Sequence, residues 1–193
     1  DSTESGNNSK MSFASYEVDW VGRVTYNWKE RYLAEVNAAY TGSEKFAPGK
    51  RFGFFPSFSI GWRLSEEPFM KKIQEKWLTN LKLRYSYGEV GSDKGAPRFN
   101  YIQLFESGGN VTFGKNQNVT YGPLYTEGKL AYQNATWETA VKQNIGIEMT
   151  ILRKLKLNLD LFDEKRTGIL MSRNTVAPWM GTGVRSVNIG ETK

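Results

Sequence analysis

From Tyr16 to Trp28 the side chains alternate with a period of two: Tyr16, Val18, Trp20, Gly22, Val24, Tyr26 and Trp28 on one parity, Glu17, Asp19, Val21, Arg23, Thr25 and Asn27 on the other. A pleated strand sends successive side chains to opposite faces, so this pattern specifies a strand with one apolar and one polar face. It recurs. Tyr32, Ala34, Val36, Ala38 and Tyr40 stand against Glu35, Asn37 and Thr41, with Leu33 and Ala39 as exceptions. Phe54, Pro56, Phe58, Ile60, Trp62 and Leu64 alternate with Phe55, Ser57, Ser59, Gly61, Arg63 and Ser65, and Leu81, Leu83, Tyr85 and Tyr87 with Asn80, Lys82, Arg84 and Ser86. A fifth strand places Trp137, Val141, Ile145, Ile147, Met149 and Ile151 on its apolar parity. A sixth places Leu155, Leu157, Leu159 and Leu161 there, opposite Lys156, Asn158 and Asp160, and its pattern breaks at Phe162-Asp163, read as the ladder leaving the membrane. Pro56 has no N–H to give a ladder and is expected near a strand start or a bulge.

The connections alternate in length. Three residues follow Trp28, about a dozen follow Tyr40, a dozen helix-like residues follow Ser65, roughly fifty follow Tyr87, and three follow Ile151. Outer-membrane barrels alternate in this way between short periplasmic turns and long extracellular loops. On that reading Ser65 to Trp77 is periplasmic, while 42–53, 88–136 and the chain beyond Gly168 are extracellular. Phe69, Ile73 and Trp77 have helical spacing after Pro68, which predicts a short periplasmic helix over Glu67 to Trp77. Tyr32 and Tyr40 lie about 26 Å apart along a strand, or ~20 Å along the membrane normal at a tilt of ~40°. Aromatics so placed form the girdles at two lipid–water boundaries.

Mean hydropathy is −0.55, and no apolar run approaches the ~18 residues of a membrane-spanning helix. A barrel wall escapes both criteria because only alternate residues face lipid. The rival reading is a soluble β-rich glycan-binding module built as a sandwich. Inward charges at Arg23, Lys82, Arg84 and Lys156 suit a polar lumen better, and a loop of roughly fifty residues is long for a compact sandwich. Six strands do not close a water-filled barrel, so the expectation is about six strands of a larger one, with residues 1–193 a partial barrel. The last residues, Asn188 to Lys193, are read as carrying no terminal strand.

There is no cysteine and no histidine, which removes thiol and imidazole chemistry and the usual zinc sites. Lys and Arg outnumber Asp and Glu 26 to 20, but the charges are interspersed and no basic run alternates with stacking aromatics. Nucleic acid is therefore not an expected partner. Glu106, Glu127, Glu138 and Asp93 show no spacing specific to a glycosidase pair, and Gly181-Thr182-Gly183 lacks the helix of a phosphate site. No enzyme activity, cofactor or metal is expected.

The stretch YLAEVNAAYTGSEKFAPGKRFGFFPSFSIGWRLSEEPFM, Tyr32 to Met70, closely resembles the barrel segment of SusC/RagA-type TonB-dependent transporters. LKLRYSYGEVGS at Leu81 to Ser92, ATWETAVKQNIGIEM at Ala135 to Met149 and the final NIGETK follow in the family's order. The departures, at Tyr40 to Ser43 and at Asp163 to Lys165, lie where loops begin. The resemblance implies a 22-stranded plugged barrel in the outer membrane of a Gram-negative bacterium. It also implies uptake of oligosaccharides or peptides, with energy delivered by TonB through a segment outside this chain, and a SusD-like surface lipoprotein closing over the mouth. The plug domain and the remaining strands are expected to lie outside this chain. A passive outer-membrane pore is the alternative. Six loop aromatics, Tyr101, Phe105, Tyr121, Tyr125, Tyr132 and Trp179, are the candidate substrate contacts, because flat rings pack on the apolar faces of sugars and on peptide side chains. The competing role for them is packing the loops against each other or against the lipoprotein.

Overall fold

The computed structural model describes residues 16–70, 77–115, 119–173, 177, 179 and 181–193. Its strands are β1 (Glu17–Trp28), β2 (Tyr32–Ser43), β3 (Phe52–Arg63), β4 (Leu78–Ser92), β5 (Phe105–Phe113), β6 (Val119–Glu127), β7 (Glu138–Ile151), β8 (Leu155–Met171) and β9 (Val187–Thr192). Seven form one antiparallel sheet in the order β1-β2-β3-β4-β7-β8-β9, and β5 and β6 pair separately as a hairpin. The fold is an all-β, antiparallel segment of barrel wall. All six alternating segments of the sequence are strands of this sheet.

Four details differ from the sequence expectation. Asn188 to Thr192 does form a strand, β9, paired to β8; its alternation is too short to register as a pattern. β8 runs on past Phe162 to Met171 because β7 partners it as far as Thr167 and β9 pairs with it from Arg166 to Met171. The long connection is shorter than expected, since β4 continues to Ser92 and the β5–β6 hairpin occupies its middle. Trp137 leaves the lipid-side stripe, being 7% exposed and packed among loop residues ahead of β7. Pro56 lies within β3, where the ladder to β2 is continuous but the ladder to β4 stops at Ser57. The missing N–H thus coincides with the place where β3 and β4 part.

At the short-connection edge, β1 and β2 are joined through Lys29 and Glu30, and β7 and β8 through Leu152 and Arg153, all four with left-handed φ near +50° to +60°. Successive left-handed residues turn the chain in the sense that strand twist requires. A 3-10 turn at Leu64–Glu66 leads out of β3. The helix expected over Glu67 to Trp77 falls largely on residues 71–76, outside the described residues.

The register separates two faces. Transverse rows such as Tyr26-Ala34-Ile60-Tyr85-Ile145-Leu161 carry the apolar side chains, and rows such as Leu33-Gly61-Arg84-Gly146-Asp160 the polar ones. Trp20 is 71% exposed, Ile60 54% and Leu161 74%, so no described residue covers the apolar face. A soluble sandwich would bury that face against a second sheet.

The apolar band also slants. Pairing places Tyr32, where the β2 stripe starts, level with Trp62, Leu83, Ile147 and Leu159. The β8 stripe starts at Leu155, four residues earlier (159 − 155). Four residues are ~13 Å along a strand, and the four strand-to-strand steps from β2 to β8 are ~19 Å. The ratio corresponds to a tilt of about 35°, within the range of closed membrane barrels.

Candidate functional site

The loop edge opposite the short connections is built around a small core. Phe46, Ala96, Ala135 and Trp137 are buried together, with Phe55, Tyr132 and Leu170 against them. The Trp137 ring lies 5.2 Å from Phe46 and 5.4 Å from Phe55, and its Nε1–H donates to the Arg51 carbonyl at 3.1 Å. The loop after β2 is tied to the end of β4: the Ser43 hydroxyl donates to Asp93 at 2.7 Å, and Lys45 pairs with Asp93 at 3.1 Å. Burial raises the Asp93 pKa, but hydrogen bonds from Ser43 and Lys45, with the Lys45 charge, outweigh it and hold the carboxyl below its ordinary value. Arg98 joins Glu44 at 2.6 Å. Asn188, on β9, donates through Nδ2 to the carbonyls of Thr136 and Gly168 and accepts from the Thr136 N–H, fastening the approach to β7 onto the far end of β8.

The six aromatics singled out in the sequence do not converge. Phe105 opens β5, and Tyr121 and Tyr125 lie on β6, so three share the hairpin; all are exposed. Tyr121 meets the edge of the Phe113 ring at 5.9 Å. Tyr132 packs against the loop core, and Tyr101 is half-buried in the turn before β5. Trp179 stands apart, 88% exposed. Of the carboxylates weighed as catalytic, Asp93 is held by Ser43 and Lys45, and Glu138 faces Arg166 at 3.6 Å. Among the described residues no group of three or more acidic side chains is placed to hold a metal ion.

The polar face of the sheet has its own order. Arg84 on β4 reaches across β7 to Asp160 on β8 at 2.6 Å and also meets Glu148 at 3.1 Å, with Lys82 3.8 Å from Glu148. The intervening position is Gly146, where a Cβ would collide with Arg84 Nε and crowd Asp160. Arg23 pairs with Glu35 at 2.7 Å, Lys142 with Glu164 at 3.5 Å, and Arg166 with Glu164 at 2.6 Å. Inward charge at Arg23, Lys82 and Arg84 was legible from parity. Its neutralisation by partners from other strands was not.

The family model described as TonB dependent receptor-like, beta-barrel, matches residues 2–193. The chain belongs to this family. The TonB-dependent receptor SusC of Bacteroides thetaiotaomicron is 28% identical over 159 residues, which are 80% of this chain and 15% of that protein. The TonB-dependent receptor P3 of Formosa agariphila is 29% identical over 175 residues, 90% of this chain and 17% of that protein. Among solved structures, the RagAB peptide importer in its closed-closed state superimposes with a TM-score of 0.73 at 17% identity, over 92% of this chain and 18% of that one. The SusC/RagA-type resemblance is therefore borne out, and the chain spans about a sixth of the length of these relatives.

At the short-connection edge the rings of Trp28, Tyr32 and Trp62 stack with centroids 5.6 and 6.2 Å apart. Glu67, 8% exposed, accepts from the Tyr32 hydroxyl at 2.8 Å and from Trp62 Nε1 at 3.2 Å, with Arg31 at 3.8 Å. Those hydrogen bonds, from Tyr32 first and then Trp62, hold the Glu67 carboxyl below its ordinary pKa. Sequence reasoning expected a girdle of rings at this edge of this TonB-dependent receptor wall, and Trp28, Tyr32 and Trp62 lie there stacked together. It missed the carboxylate that fixes the girdle to the connection after β3, a contact between residues 35 apart in the chain.

Proposed function

We propose that this chain is part of the barrel wall and extracellular loops of an importer in the outer membrane of a Gram-negative bacterium, one that takes up oligosaccharides or peptides with energy supplied through TonB. The observation that carries the reading is a family match over 2–193 on a sheet whose apolar face is uncovered and slanted as a tilted membrane strand requires. In this reading β1 to β4, β7 and β8 cross the membrane. The plug domain, the TonB-contact segment and the remaining strands belong to the rest of the protein, and a SusD-like lipoprotein covers the loop edge. The exposed aromatics Phe105, Tyr121 and Tyr125 contact cargo or that lipoprotein, Trp179 does so from a separate place on the extracellular side, and Tyr132, packed on the loop core, supports the loops.

The test uses the full-length protein with its neighbouring lipoprotein in a Gram-negative host, with and without functional TonB. TonB-dependent accumulation of a labelled glycan or peptide supports the reading. Accumulation independent of TonB, with open conductance in planar bilayers, would identify a passive pore instead. No uptake of either class refutes import altogether.

A further inference from the structure

The two tight turns of the short-connection edge are built from residues that such turns do not favour. Each is closed by a hydrogen bond, the Arg31 N–H donating to the Trp28 carbonyl at 3.0 Å and the Lys154 N–H to the Ile151 carbonyl at 3.1 Å. Lys29 and Glu30 fill the left-handed positions of the first turn, Leu152 and Arg153 those of the second. Asparagine and glycine adopt that conformation at least cost, so turn stability does not account for a lysine and an arginine there.

The cations at this edge are of two kinds. Arg31 is matched by Glu67 at 3.8 Å and Arg63 by Glu30 at 3.4 Å. Lys29, Arg153 and Lys154 are exposed and make no ion pair with any described residue. The two turns thus present three positive charges that the described wall does not neutralise.

Geometry sets these charges beside lipid. Lys29 Nζ lies 5.2 Å from the centroid of the Trp28 ring, and Trp28 ends the apolar stripe of β1 in the ring stack with Tyr32 and Trp62. An ammonium over that ring stands on the lipid side of the wall. At the other turn Leu152 is 62% exposed, and its N–H donates at 2.7 Å to the carbonyl of Trp77, itself 52% exposed. The slant brings both turns to one depth: Tyr32 opens the β2 stripe and Leu155 the β8 stripe, so each turn adjoins the same apolar boundary. Further strands would extend the sheet sideways from β1 and β9, and a plug would fill the lumen; neither covers the lipid side. From such a boundary a long cationic side chain reaches the headgroup layer while its stem stays on apolar surface.

We propose that these turns bind the phosphates of anionic phospholipids in the leaflet at the short-connection edge, Lys29 at one point and Arg153 with Lys154 at another, ~19 Å away across four strand steps. The proposal rests on the barrel-wall reading and adds a lipid preference to it. Phosphate supplies the counter-charge that the turns lack, and the adjoining apolar residues seat acyl chains beside it. The spacing suits separate lipid molecules, one at each turn.

The experiment reconstitutes the full-length protein in vesicles of equal parts phosphatidylglycerol and phosphatidylcholine, one of the two carrying a photoreactive group near its phosphate, and maps the cross-links by mass spectrometry. In the wild type the phosphatidylglycerol label exceeds the phosphatidylcholine label at 26–34 and at 149–157, and the excess falls as salt is raised. Lys29→Asn should lower that ratio about fivefold at 26–34 alone, and Arg153→Asn with Lys154→Gln at least as much at 149–157 alone. Asparagine relaxes the left-handed positions, so a damaged turn does not explain the loss, and Lys154→Arg retains the ratio. Lys94→Gln, at the loop edge, leaves both ratios unchanged. A wild-type ratio near one, an unchanged ratio in Lys29→Asn and in Arg153→Asn, or an equal drop in Lys94→Gln would overturn the lipid preference and leave the barrel reading standing. A wild type in which neither lipid labels the stripe around Val36 removes both.

Discussion

The slant of the apolar band makes a depth prediction that separates register from membrane position. On β2 the stripe from Tyr32 to Tyr40 is centred on Val36, ~10 Å from either boundary at the tilt derived above. Register alone would carry that midplane through Phe58, Tyr87 and Gln143 to Asp163 on β8. The slant moves it instead to Leu157 and Leu159, the centre of the β8 stripe. Arginine at a barrel's lipid-facing midplane costs about 2–4 kcal/mol, falling to about 0–1 kcal/mol near the boundary. Val36→Arg and Leu159→Arg should each therefore cost about 2–4 kcal/mol, and Asp163→Arg about 0–1 kcal/mol. The measurement is reversible guanidinium unfolding of the full-length barrel in lipid vesicles, followed by tryptophan emission. If Asp163→Arg proves as costly as Val36→Arg, or Leu159→Arg costs nothing, the slanted band is wrong and with it the tilt.

Trp137→Ala removes a buried ring and its hydrogen bond to Arg51, so the loop edge should lose about 3–5 kcal/mol of local stability and be cut faster by limited proteolysis around 44–51 and 129–137. Because the Asp93 pKa is depressed on folding, its contribution is present above the ordinary carboxylate range and is lost as pH falls through the lower folded value. Hydrogen exchange across 43–51 should accelerate under acid conditions, and Asp93→Asn should abolish that acid dependence. Glu67→Ala should raise exchange at 64–70 and leave the loop edge unchanged, since the Glu67 carboxylate holds Tyr32, Trp62 and Arg31 of the opposite rim. Gly146→Val should separate Arg84 from Asp160, seen as loss of their coupling in a double-mutant cycle.

How much was legible in the sequence varies from element to element. β1, β2, β3, β4, β7 and the first half of β8 were readable because each carries its own alternation. β9 was not, having only Asn188, Ile189 and Gly190 between weakly patterned neighbours, and its strand exists because β8 supplies hydrogen bonds. Trp137 was misplaced because parity with Val141 argues for one face, while Phe46 and Phe55, distant in sequence, provide a better burial site. The candidate aromatics were chosen by residue type and loop position, and neither indicates that Phe105, Tyr121 and Tyr125 share a hairpin while Tyr132 lies in a core.

By itself the sequence determined, Trp137 excepted, which side chains share the apolar face of the sheet and which share the polar one. The pleat is a property of the backbone and needs no partner to set its period of two. Only the tertiary structure decided what those side chains meet. The slant of the band and the bridge from Arg84 over Gly146 to Asp160 both depend on the pairing of strands far apart in the chain. Short turns and the apolar alternation fix register within the hairpins, but which edges meet between β4 and β7, and how the sheet twists across all seven strands, no local pattern encodes.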